Sequence, residues 1–278
     1  MPLPRISAIS FLNTAPLMWD FDRTDLRQQY EISYTIPSRC AEALRAGDAD
    51  IGLIPAVTFL TIPGLASLPN VAIAAQDHVR SILLVSRKPP EDIKTIAADT
   101  SSRTSVVLCD LLFRRHFPAH RDGTRVRQLT EHEPELEAML ARFDAALLIG
   151  DSALRVDASR YCVFDLAHEW RIMTGKPFCF AFWAARKNII TPEMIEHFTR
   201  SRDHGLEPKS LDVLAREWAP RVGISERDVR SYLTENIYYS LDHKVLEGLY
   251  AFFEMGRQEG LLPPMPFVDA PPSPQPVR

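Results

Sequence analysis

Pro37-Ser38-Arg39-Cys40-Ala41-Glu42-Ala43-Leu44-Arg45-Ala46-Gly47-Asp48-Ala49-Asp50-Ile51-Gly52-Leu53-Ile54-Pro55 is the stretch that decides the fold class. The alternating run Glu31 to Ile36 before it reads as a strand. Ser38 offers a cap hydroxyl for a helix through Ala46, and Gly47 is a stop signal. Asp50 to Ile54 follows as a short buried strand, completing a β-α-β unit. Such units build a parallel or mixed sheet covered by helices, so the predicted class is α/β.

The same alternation extends in both directions. Arg5 to Ser10 reads as a first strand; Thr14-Ala15-Pro16 supplies a cap hydroxyl and a first-turn proline for a helix Leu17 to Phe21, leaving Asn13 at the strand-to-helix turn. Val71 to Ala75 and Ser81 to Ser86 add strands, and Pro89-Pro90 punctuates the chain. A second cycle begins with the strand Thr95 to Ala98, the hydroxyl-rich loop Asp99 to Ser105 and a helix through Arg115. A strand near Val126, a helix from Pro134, a strand Ala145 to Ile149 and the turn Gly150-Asp151-Ser152 come next, then strands Cys162 to Phe164 and Phe180 to Ala184. From Pro192 onward the pattern is helical, ending at Gly260, and Pro263 to Arg278 reads as a loosely held proline-rich tail. The expected organisation is a discontinuous lobe of residues 1–87 plus 186–278 and a second lobe of 88–185.

Composition narrows the partners. An apolar fraction of 46% over 278 residues can build a substantial core. The net charge of −4, with both signs interspersed, leaves no electrostatic footprint for nucleic acid. No apolar run approaches the roughly 20 residues that span a bilayer. The N-terminal residues lack the pattern of an export signal, so the expected compartment is the cytoplasm. The four cysteines are far apart, form no C-x-x-C pair and read as reduced, mostly buried thiols. A small molecule is the expected partner, with the oligomeric state open between monomer and homodimer.

Most catalytic signatures are missing. His116 and His120 are four apart, but Pro118 interrupts the helix that would align them, and no H-E-x-x-H or paired-cysteine motif occurs. Neither G-x-x-x-x-G-K-[ST] nor G-x-G-x-x-G is present, and no G-x-S-x-G elbow marks a serine nucleophile. The expectation is therefore an enzyme or binding protein with no metal and no organic cofactor. What remains is a set of short polar residues where strands end and helices begin: Asn13-Thr14, Ser38-Arg39, Ser81, Ser101 to Ser105 and Gly150-Asp151. In open α/β sheets those positions line the ligand crevice, and helix N-termini there suit carboxylates. The same residues also serve as ordinary caps and turns.

Several of these stretches, in order, resemble one family. Ser10-Phe11-Leu12-Asn13-Thr14-Ala15-Pro16-Leu17, Pro37 to Leu44 with Gly47 to Pro55, Ser81 to Ser86, Asp99 to Ser105, Leu148 to Leu154 and Thr174 to Phe178 are similar to the chorismate dehydratases of the futalosine route to menaquinone. The resemblance covers roughly residues 5 to 260. It implies a cytosolic enzyme of two lobes, with the fold of type II periplasmic binding proteins and the ligand between the lobes. It implies that chorismate loses water to give 3-[(1-carboxyvinyl)oxy]benzoate without metal or cofactor. Asn13 and Ser81 then stand at the centre of the site, with Ser38, Arg39, Ser102, Thr104, Ser105, Gly150 and Asp151 as substrate contacts. For the proton-abstracting base two assignments stay open, Asp151 or the substrate's own enolpyruvyl carboxylate. The alternatives are a carboxylate-binding protein of the same fold that does no chemistry, and the sister enzyme that splits cyclic de-hypoxanthine futalosine.

Overall fold

The computed structural model describes residues 2–263, so all but the first residue of the expected proline-rich tail lies outside the described residues. β1 (Arg5–Ile9), β2 (Glu31–Thr35), β3 (Ile51–Pro55) and β4 (Leu65–Ala75) form most of one sheet. The chain then crosses to a second sheet made of β5 (Ile82–Ser86), β6 (Thr95–Asp99), β7 (Gln128–His132), β8 (Ala145–Ile149) and β9 (Cys162–Asp165), and β10 (Phe178–Arg186) returns to the first. The orders are β2-β1-β3-β10-β4 and β7-β6-β8-β5-β9. β1 and β6 each pair in parallel with both neighbours. In each sheet the fourth place belongs to the strand that arrives from the other sheet, and it runs antiparallel to both neighbours. The same topology is thus built twice, giving a two-lobed α/β fold.

The exchange points differ from the expected boundaries. The chain passes between sheets after Ala75 and again after Thr174, earlier than residues 88 and 186. β5 is apolar on both faces and fully buried, a pattern that fits the interior of either sheet, so its membership is not written in its own residues. The Pro89-Pro90 pair punctuates only the exit from β5, where Pro90–Asp92 makes a short 3-10 turn.

α1 (Trp19–Arg23), α2 (Pro37–Ala46) and α3 (Ala56–Phe59) accompany the first sheet, and α4 (Thr104–Arg115), α5 (Leu136–Arg142) and α6 (Leu166–Thr174) the second. Gly47 ends α2 in the left-handed conformation, as expected, while Pro37 occupies its first turn and Ser38 makes no cap bond. α7 (Pro192–Gly205), α8 (Pro208–Val222), α9 (Glu226–Ser231) and α10 (His243–Gln258) form the helical C-terminal region. α7, α8 and α10 pack against the first lobe, and two of them also reach the second: α8 touches the Gly150–Arg155 turn, and α10 touches α4. β3, β8 and β5 are buried throughout, whereas the outer strands β2 and β7 are largely exposed. The thiols of Cys40, Cys109 and Cys179 are buried, and Cys162 is exposed.

Candidate active site

The segment after β1 sets one wall of the cleft. Residues Leu12–Met18 form a buried 3-10 helix that begins earlier than the expected start after Thr14. Thr14 is not its cap; its hydroxyl donates to Asn13 Oδ1 at 3.4 Å. The free N–H of Leu12 is instead met by Asp151 Oδ1 at 3.0 Å, a carboxylate from the other lobe. The segment is anchored from behind, because Leu12 and Leu17 are fully buried, each worth roughly 2 kcal/mol. Ser201 of α7 accepts from the Asp20 N–H at 2.9 Å and donates to the Leu17 carbonyl at 2.8 Å. A side chain at Gly205 would collide with the Pro16 carbonyl oxygen, so the close approach of α7 requires glycine there.

Asn13, Ser81 and Tyr232 come together at the centre. Tyr232 donates its hydroxyl to Ser81 Oγ at 2.8 Å, and the Asn13 side chain adjoins the same hydroxyl. All three are buried, and burial pushes the Tyr232 phenol well above its ordinary range, so it is neutral and a donor. Tyr232 opens the π-helical turn Tyr232–Asn236 that follows α9, an irregularity frequent at functional sites. Ser81 sits on the first crossing between sheets. The residue before it, Arg80, has φ of 60°, a strained conformation held by Asp165, whose Oδ2 accepts from the Val79 and Arg80 N–H groups at 2.9 and 2.7 Å.

The second lobe contributes a helix start. Asp99, at the end of β6, accepts from the Ser101 N–H and hydroxyl at 2.9 and 2.6 Å, which shapes the loop into α4. Burial holds the Asp99 carboxyl above its ordinary value, and its hydrogen bonds to Ser101 and to the Ile149 N–H act against that shift. Among the described residues no side chain caps α4, so its first N–H groups are free to face a ligand. The Ser102 hydroxyl is buried with no partner among the described residues, and Thr104 Oγ1 accepts from the Val57 N–H of the first lobe at 3.3 Å. An orphan hydroxyl beside an uncapped helix start is a place for an anion.

These elements line a narrow cleft with about 500 Å³ of empty space, its mouth included. It is lined by Asn13, Ser81, Ser101 to Ser105 and Gly150, with Ile9, Phe11, Ile73, Val79, Ile149 and Phe180 as apolar walls. Among the described residues lining it there is no carboxylate and no histidine, and Arg103 pairs outward with Glu131 at 2.9 Å. Gly150 has φ of 63°, and a Cβ there would lie 2.6 Å from the Phe11 ring; glycine alone lets the lobes meet at this point.

Of the residues expected from sequence, Asn13, Ser81, Ser102, Thr104, Ser105 and Gly150 are brought together around this cleft. Asp151 is adjacent but faces a neighbouring cavity with Ser10, Thr14, Tyr34 and Trp218, and Ile9 and Phe11 partition the two. Burial pushes the Asp151 carboxyl up to about 6, against the opposing effects of the Leu12 N–H and Arg155. Ser38 lines an outer groove shared with Ser102 and Arg103. Arg39 is not brought to the cleft: its side chain is 68% exposed and pairs with Glu42 along α2. Tyr232 and Asp99 were missed by sequence reasoning. Tyr232 lay in a stretch readable only as helix, whereas Asp99, two residues before Ser101, carried the signal of a turn-forming side chain.

The chain is 27% identical over 244 residues to the chorismate dehydratase of Thermus thermophilus, covering 81% of this chain and 86% of that protein. It is 29% identical over 119 residues to the Campylobacter jejuni chorismate dehydratase, covering 41% of this chain and 50% of that protein. A structure of an Archaeoglobus fulgidus protein superposes with a TM-score of 0.76 at 16% identity, covering 93% of this chain and 98% of that one. The periplasmic aliphatic sulphonate binding protein of Escherichia coli superposes with a TM-score of 0.64 at 16% identity, covering 95% of each chain. The likeness to the sulphonate binding protein shows the periplasmic-binding-protein type of fold. The family model described as menaquinone biosynthesis matches residues 4–258, and this chain belongs to that family.

Proposed function

We propose that this chain is a chorismate dehydratase that removes water from chorismate to give 3-[(1-carboxyvinyl)oxy]benzoate. The observation that carries the reading is the cleft itself: an uncapped α4 start with an orphan Ser102 hydroxyl on one side, and the Asn13–Tyr232–Ser81 cluster on the other. Chorismate presents a ring carboxylate, an enolpyruvyl ether at C3 and a hydroxyl at C4. Loss of the C3 proton and the C4 hydroxide aromatises the ring, which drives the step forward.

The α4 N–H groups, with the Ser102, Thr104 and Ser105 hydroxyls, hold the ring carboxylate. The C3 hydrogen is acidified through the conjugated diene by that carboxylate, so donors at this end stabilise the charge that develops as the proton leaves. Asn13 and Ser81 orient the enolpyruvyl carboxylate and the departing hydroxyl, and Tyr232 fixes both side chains by its own hydroxyl. The base is the substrate's enolpyruvyl carboxylate. Asp151 faces the adjoining cavity and already accepts the Leu12 N–H, which supports a structural role for it. The narrow apolar walls exclude bulk water during the proton transfer.

The test is direct. Purified protein mixed with chorismate should remove the cyclohexadiene absorbance and yield a product lighter by one water in the mass spectrum. Chorismate bound tightly but returned unchanged would favour a binding protein, and turnover of cyclic de-hypoxanthine futalosine instead would assign the sister activity.

A further inference from the structure

The described residues bring one group of metal-ligating side chains together, and it lies outside the cleft. Asp77, His78 and His168 place their ligand atoms within 4.8 Å of one another. Asp77 and His78 are on the first crossing, between β4 and β5, and His168 is in the first turn of α6 on the second lobe. Both imidazoles turn Nδ1 toward the same carboxylate oxygen, Asp77 Oδ1, at 2.6 Å from His168 and 3.4 Å from His78. The two rings stack at 3.8 Å between centroids, 21° from parallel.

The backbone beneath this group is fixed. Asp165 Oδ1 accepts from the Ala167 and His168 N–H groups, while its Oδ2 accepts from those of Val79 and Arg80. One carboxylate therefore holds both segments that bear the three side chains. Asn236 adds a bond to the His78 carbonyl at 3.1 Å. The side chains of Asp77, His78 and His168 are 59%, 51% and 34% exposed, so an ion has access from solvent. None of the three lines the cleft. Two imidazoles and a carboxylate, with ligand atoms within 4.8 Å of one another and open on one side, form a donor set suited to Zn²⁺ and similar late divalent ions once the exposed His78 ring turns out of the stack to aim its in-plane lone pair at the shared centre.

We propose that Asp77, His78 and His168 bind one Zn²⁺-class ion, which clips α6 to the crossing segment that leads into Ser81. Asp77 Oδ1 holds His168 closely, at 2.6 Å, and His78 only loosely, at 3.4 Å, whereas an ion takes one ligand atom from each. The ion stabilises the junction of the lobes and takes no part in the dehydration.

The experiment uses the full chain, stripped with a chelator and dialysed. Titration with ZnCl₂ in a calorimeter should show one equivalent bound, with a melting temperature raised by roughly 5 °C at saturation. The His78→Ala/His168→Ala double variant should lose both effects while keeping its turnover of chorismate, and MgCl₂ should give neither. No Zn²⁺ binding by the wild-type chain, or equal binding by the double variant, overturns the proposal. A measurement that needs no variant is the visible spectrum of the Co²⁺-loaded wild-type chain. Intense bands of a low-coordinate nitrogen and oxygen site are expected, and the weak spectrum of hydrated Co²⁺ overturns it.

Discussion

The two lobes share one topology and use it differently. The loop after β1 and the loop after β6 occupy equivalent places, at the end of a central strand with parallel neighbours on both sides. In the first lobe that loop runs into a tight, buried 3-10 helix whose Asn13 amide is packed against Tyr232 and Ser81. In the second lobe it opens onto the N-terminus of a full α-helix, with a run of hydroxyls and free N–H groups. A 3-10 segment with an internal proline has few N–H groups to offer, so it presents a positioned side chain. A long uncapped helix presents a positive end. The first lobe with the crossing thus orients the reacting end of the substrate, and the second anchors a carboxylate.

Asn13→Ala should break the orienting half most severely. Turnover is expected to fall by roughly 10²–10³-fold, the size of losing one preorganised donor, with little change in melting temperature. Equal losses of stability and turnover would make Asn13 a structural residue instead. Gly150→Ala attacks the contact between the halves. The added methyl meets the Phe11 ring in a left-handed backbone position, and a loss of about 1–3 kcal/mol in denaturant unfolding is expected, together with reduced turnover. Ser102→Ala removes a hydroxyl that has no partner among the described residues, so KM should rise by about tenfold while stability holds or improves slightly.

Asp151→Asn probes the bond that crosses between the lobes. An amide oxygen still accepts the Leu12 N–H but carries no buried charge. Because the folded carboxyl sits near 6 instead of 3.8, the wild-type chain loses stability as pH rises through that window, and the variant does not. The variant should be more stable above pH 6 by roughly 1–2 kcal/mol, allowing for partial exposure, with turnover largely kept. Abolished turnover with product binding intact would return Asp151 to the role of base. Arg39→Ala marks the bottom of the scale. An exposed pair within one helix is worth less than about 1 kcal/mol, and neither KM nor kcat should move.

Much of this division was legible in the residues. Alternation in Glu31 to Ile36, the Gly47 stop and the buried run Asp50 to Ile54 state a β-α-β unit through local physics alone, and the hydroxyl run before α4 marks a helix start. The crossing at Ser81 was harder, because β5 is apolar on both faces and fits the interior of either sheet. The true partner of the Leu12 N–H was invisible, since Asp151 lies 139 residues away and only tertiary structure joins them. Tyr232 was hidden for the same reason: a π-helical turn depends on packing, and the sequence Ser231-Tyr232-Leu233-Thr234 reads as ordinary helix. Arg39 misled in the other direction, because a polar residue at a strand-to-helix turn shares its position with ligand contacts whether or not its side chain turns inward.

The division of labour between lobes is tested most directly by calorimetric affinity for the product, 3-[(1-carboxyvinyl)oxy]benzoate, in Asn13→Ala and Ser102→Ala side by side. The first variant should bind it within a few-fold of wild type despite its lost turnover, and the second should bind it about tenfold more weakly. The reverse pattern, with product affinity lost in Asn13→Ala and kept in Ser102→Ala, would contradict the account.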